Sequence, residues 1–70
     1  MVLKKVSSSL LDYIGYEPTV QVLRVVFKTG AHYEYEEVPQ DVYQQCMESK
    51  SVGAFFHKNI KNSYTFKKMS

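Results

Sequence analysis

The side chains that could act as nucleophile, base or metal ligand are Cys46, His32, His57 and the carboxylates Glu34, Glu36 and Glu37. A cysteine nucleophile needs partial exposure and a neighbouring base. Cys46 instead shares an apolar spacing with Val42, Tyr43 and Met47, which reads as a small buried hydrophobe. His32 and His57 fall on different elements, with no carboxylate or cysteine at metal-ligand spacing. Glu34 and Glu36 alternate on a strand pattern and read as a solvated sheet face. Gly15, Gly30 and Gly53 match neither a phosphate-cradling loop nor a dinucleotide fingerprint. The residue chemistry therefore predicts a non-catalytic domain with no metal and no cofactor.

The stronger signal is electrostatic. Residues 1–48 carry four basic side chains against seven acidic ones, net −3, whereas residues 49–70 carry Lys50, Lys58, Lys61, Lys67 and Lys68 and no acid, net +5. Segregation of this kind builds a local positive field that a mixed surface would cancel. Phe55, Tyr64 and Phe66 are interleaved with these lysines, a combination suited to a phosphate backbone with occasional base stacking. Lys50, His57, Lys58, Lys61, Lys67 and Lys68 are accordingly the candidate nucleic-acid-binding residues. A solvated helix face would carry the same lysines.

The elements that must position these groups follow from the patterning. Val22 to Phe27 is β-branched and apolar, and Lys28-Thr29-Gly30 turns the chain into Ala31 to Val38. A two-residue loop would place Phe27 opposite His32 and Val25 opposite Glu34, mixing apolar and charged groups on one face. A three-residue loop with Gly30 left-handed pairs Phe27 with Ala31, Val25 with Tyr33 and Leu23 with Tyr35. It also sets Arg24 against Glu34 and Val22 against Glu36 on the opposite face, so the bulged hairpin is the expected register. Tyr33 and Tyr35 then belong to the core face, which favours packing over stacking on exposed bases. Upstream, Ser9 to Tyr16 reads as a further antiparallel strand with Gly15 at a bend or bulge.

Two helices are expected next. Pro39 suits a first helical position, and Asp41 adds negative charge to the first turn. Ser49-Lys50-Ser51 breaks this helix, and Ser51 can cap the next. Val52, Phe56, Ile60 and Tyr64 recur every four residues as an inward stripe, which leaves His57, Lys58 and Lys61 outside. Gly53 serves either close approach of the two helices or free φ/ψ at the turn. Ser63 to Met69 reads as a short frayed or weakly extended tail. The fold class is thus α+β: a small antiparallel meander of about three strands with two C-terminal helices packed on one face.

Seventy residues make one domain with a modest core, filled here by six Tyr and four Phe without Trp. One cysteine excludes an internal disulfide framework and points to a reducing, cytoplasmic setting. The chain shows no apolar run of signal-peptide or bilayer-spanning length, so no membrane partner is expected.

Ser8-Ser9, Leu11, Ile14-Gly15-Tyr16, Val25-x-Phe27, Gly30, Tyr33-x-Tyr35, Val38-Pro39, Val42 and Ser51-x-Gly53-x-x-Phe56-x-x-x-Ile60 together resemble the KTSC domain. That family is named for the C-terminus of some lysyl-tRNA synthetases and also occurs as free-standing small proteins in bacteria and their phages. The resemblance covers roughly residues 7–64, leaving 65–70 as a flexible tail. Glu17, Lys50 and His57 depart from the Asp, small residue and Asn expected at those positions. The synthetase attachment implies RNA binding; the family supplies no site residues. The expectation is a small RNA- or nucleic-acid-binding module acting through the basic helix and tail. The competing expectation is a protein-interaction module, or a phage-type accessory protein binding a host protein, that uses Val22, Val26 and His32 or an edge strand. The sequence carries no signal for oligomeric state.

Overall fold

Gly30 takes φ of +94°, its N–H donates to Phe27 O at 2.8 Å, and Phe27 N–H donates to Ala31 O at 2.9 Å. These contacts close the three-residue bulged turn, and the register runs Val26–His32, Val25–Tyr33, Arg24–Glu34 and Leu23–Tyr35. Separation of apolar from charged residues across the two faces fixes this pairing, because a one-residue slip would bury Glu34. The computed structural model describes residues 2–69.

The elements are β1 (Leu3–Lys5), β2 (Leu11–Glu17), β3 (Val22–Phe27), β4 (His32–Tyr35), α1 (Gln40–Glu48), α2 (Val52–Asn59) and β5 (Phe66–Lys68). The sheet is antiparallel with spatial order β1-β2-β3-β4-β5. The architecture is α+β with two helices, as expected, but the sheet has five strands rather than about three. The helices precede the last strand rather than ending the chain. Each additional strand is three residues long, Leu-Lys-Lys or Phe-Lys-Lys, too short to show an alternating pattern. Their order comes from the ladder: β5 pairs Tyr33–Lys68, Glu34–Lys67 and Tyr35–Phe66, and Thr65 O and Met69 N–H extend the bonding at each end. Short, lysine-bearing edges also discourage further strand addition.

Within β2 the irregularity falls between Leu11 and Tyr13, not at Gly15, which pairs regularly with Leu3 and Arg24. The extra residue, Asp12, carries a carboxylate that pairs with Lys28 at 3.3 Å.

One sheet face packs on the helices. Leu11, Ile14, Leu23, Val25 and Tyr35 meet Val38, Cys46, Phe56 and Ile60, all at most 1% exposed. Tyr35 stands edge-on to Phe56 at 5.2 Å, and Phe27 meets the same ring at 5.7 Å. Pro39 occupies the cap position of α1, one residue before the first helical one, and Ser51 Oγ accepts from Ala54 N–H at 3.3 Å to cap α2. Tyr16 ties α1 to the sheet: its ring stacks on Tyr43 at 4.8 Å and its hydroxyl donates to Val38 O at 2.5 Å.

Gly53 is buried against the loop before β2, not against the other helix. A Cβ there would overlap Ser8 Oγ, an oxygen held in place by Leu10 N–H (3.0 Å) and Leu11 N–H (3.2 Å). Neither the helix–helix contact nor a special φ explains this glycine. Gly53→Ala should destabilise the domain by about 1–3 kcal/mol through overpacking. In the Ser8→Ala background the same change should cost much less, and urea melts of the four proteins in the cycle measure the difference. Equal costs in both backgrounds would rule out the Ser8 contact as the cause.

Candidate functional site

Two depressions adjoin on the helix side of the molecule. The first is a cleft of about 410 Å³ at the β3–β4 turn end, where the helices leave the sheet uncovered. Its walls include Phe27, Tyr33 and Phe66, with Lys28 and Lys61 on the same lining. The second is a groove of about 710 Å³ between the Ser8–Leu10 loop and α2, lined in part by Ser51, His57 and Lys58. The two share Ser9, Leu10 and Asn62, so they form one continuous path. No carboxylate lines either depression.

The rings lining the cleft, Phe27, Tyr33, Tyr35 and Phe66, differ in exposure. Tyr35 is 1% exposed, whereas Tyr33 is half-buried and Phe66 is 49% exposed. Tyr33 stands perpendicular to Phe27 at 5.2 Å and tilted against Phe66 at 5.3 Å. Lys68 faces Tyr33 in register and so projects on the same side of the sheet.

Charge pairing divides the lysines. Among the described residues the ion pairs are Arg24–Glu34, Lys28–Asp12 at 3.3 Å and Lys67–Glu36 at 3.5 Å. None of them engages Lys50, Lys58, Lys61 or Lys68. His57 and Lys58 sit in the last turn of α2, where positive charge also complements the helix dipole.

Residues 7–64 match the family model of the KTSC domain. The chain belongs to the KTSC domain family. It is similar to a KTSC domain protein from Yersinia pestis whose crystal structure superposes with a TM-score of 0.94 at 33% identity, covering 99% of this chain and 97% of that one. An uncharacterized protein of Stutzerimonas stutzeri is 44% identical over 54 residues, 77% of this chain and 76% of its own. A lysine–tRNA ligase of Nostoc sp. is 37% identical over 68 residues, which span 97% of this chain but only 12% of the ligase.

In this KTSC domain the six candidate residues do not form one surface. His57 and Lys58 line the groove, Lys61 lines the cleft, and Lys68 flanks Tyr33. Lys50 is exposed one residue before Ser51, at the groove's far end. Lys67 projects from the opposite sheet face toward Glu36. The two-residue period of β5 separates it from Lys68. Sequence reasoning also favoured packing over base stacking for Tyr33 and did not include Phe27, Lys28 or Asn62 in a site. Tyr33 lies on the core face, but at the end of it that the helices do not reach.

The remaining reactive groups lie apart from this path, and Cys46 is closed off from solvent. Among the described residues no cluster of His, Cys, Asp and Glu could hold a metal, and no helix is long and apolar enough to cross a membrane. Cys46 is fully buried, its Sγ directed at Val52 O at 3.8 Å, and burial pushes the thiol from 9.0 up to about 11. Burial, then the neighbouring Asp41, Tyr33 and Cys46 respectively, raises Tyr16, Tyr35 and Tyr43 as well. A group raised in the folded state lends stability below its unfolded value and loses it as pH climbs, because the unfolded chain releases its proton first. For Cys46 the window is pH 9 to about 11, with a loss on the order of 2–3 kcal/mol. Urea melts across that window should therefore show a shallower decline for Cys46→Ala than for the parent. Parallel declines would contradict a buried, neutral thiol.

Proposed function

We propose that this KTSC domain is a non-catalytic nucleic-acid-binding module that holds RNA along the groove and cleft beside α2. Lys58, Lys61 and Lys68 contact phosphates, with His57 and Lys50 at the margin. The carrying observation is the continuous path lined by basic side chains and no carboxylate, on the face away from the Arg24–Glu34 and Lys67–Glu36 pairs; of its lysines, Lys28 is paired, with Asp12. The relative among lysine–tRNA ligases supports the reading, since a protein that joins lysine to tRNA works on RNA.

Contacts to phosphates release counterions, so affinity should fall steeply with salt. With three to five contacts, log K for single-stranded RNA should decline by roughly 2 to 3.5 per decade of salt. Fluorescence anisotropy over a salt series measures this slope, and salt-independent binding would overturn the electrostatic reading.

Exposed Val20 (60%) and Tyr13 (38%), away from the cationic path, favour a second reading, a protein partner. A captured protein that stays bound after nuclease treatment, with no RNA affinity in the purified domain, would establish it instead.

A further inference from the structure

Three aromatic side chains of this domain meet at one cleft without closing it. Phe27, Tyr33 and Phe66 line a cleft of about 410 Å³, within the roughly 300–1,000 Å³ usual for ligand sites. Phe66 is 49% exposed and Tyr33 is half-buried, while Tyr35 at the base of the same lining and Phe56 behind it are closed over. The same cleft carries Lys61 on its wall and Lys68 beside Tyr33, both outside the ion pairs formed among the described residues. Flat apolar walls next to lysine side chains are complementary to a planar base attached to phosphates.

We infer that the cleft receives one unpaired nucleobase, stacked on Phe66 and Tyr33, with Lys61 and Lys68 on the flanking phosphates. The inference rests on the nucleic-acid reading above and makes it selective: a base inside a duplex is not free to enter, so single strands bind better than double strands. Stacking accepts any base, so the site is tolerant of sequence. The groove toward His57 and Lys58 continues the path of the backbone, because it shares Asn62 and Ser9 with the cleft.

The test uses the whole domain and three fluorescein-labelled probes: a short single-stranded RNA, the same RNA with abasic sites throughout, and its duplex. Loss of a stacked base should weaken binding roughly five- to hundredfold. The abasic strand and the duplex are expected to bind weaker than the intact strand by that order. Phe66→Leu, which keeps an apolar side chain without a ring, should weaken intact RNA similarly and leave abasic binding unchanged. Far-UV circular dichroism confirms that this exposed substitution leaves the fold in place, and the abasic probe needs no substitution at all. If abasic and intact strands bind the parent protein equally, or the duplex binds as well as the single strand, the stacking site is overturned while phosphate binding stands. If Phe66→Leu leaves affinity for intact RNA unchanged, the assignment of the stacking face fails. If no probe binds, both readings fall, and a partner's aromatic side chain becomes the occupant to seek.

Discussion

Phe56→Ala should leave most of the protein unfolded or close to it at room temperature. Phe56 is 0% exposed, sits in the middle of α2, and supplies the ring that Phe27 and Tyr35 pack against from the sheet. Truncating a buried Phe costs about 3–5 kcal/mol, combining lost transfer energy with the cavity left behind. A domain of this size stands at the low end of the ~5–15 kcal/mol typical of folded proteins. The cavity would open where the helix layer meets the sheet, and two aromatic neighbours would lose their edge-to-face partner at once. Thermal melting followed by circular dichroism should show the midpoint lowered by roughly 15–30 °C, or no cooperative transition at all. A loss under about 1 kcal/mol would mean that the site collapses around the cavity, and that Phe56 is not the central contact between the layers.

The largest expected functional effect comes from reversing two charges. Lys58→Glu combined with Lys61→Glu replaces one cation on the groove and one on the cleft with carboxylates. Each lost phosphate contact on a single strand should lower the salt slope by about 0.7, so the pair should lower it by roughly 1.4. Repulsion of the backbone by the new carboxylates adds to that loss, and affinity at moderate salt should fall well over about tenfold. Lys58 is exposed and Lys61 only partly covered, so neither substitution opens a cavity. The control is the single reversal Lys67→Glu. That lysine faces Glu36 on the other side of the sheet, and its reversal should change RNA affinity little. The double reversal changes the net charge by −4 and the control by −2, so a loss at 67 of about half that at 58/61, on a logarithmic scale, would show that net charge alone governs binding, with no localised path.

The β3–β4 hairpin was legible because the residues themselves discriminate between registers: only the bulged turn keeps Glu34 off the core face and opposite Arg24. The helices were legible from Ser51 and the Val52, Phe56, Ile60 stripe, which needs no distant partner to be read. What could not be read depends on contacts remote in sequence. Leu3–Lys5 and Phe66–Lys68 are strands only because β2 and β4 offer open edges. Gly53 is required by Ser8, 45 positions earlier, and nothing near Gly53 announces that neighbour. The same limit applied to the site. The lysines stood out by charge, but dividing Lys67 from Lys68 requires knowing that they lie on a strand. Recognising the cleft requires knowing how far the helices reach across Phe27 and Tyr33.

The most direct measurement of the binding reading is a heteronuclear NMR titration of the isotopically labelled domain with short single-stranded RNA. Progressive shifts should gather at Ser8–Leu10, His57, Lys58, Lys61, Asn62, Tyr33 and Lys68, and fade as salt is added. Shifts confined to Tyr13, Arg24 and Glu34 on the opposite sheet face, or a spectrum unmoved by excess RNA, would contradict it.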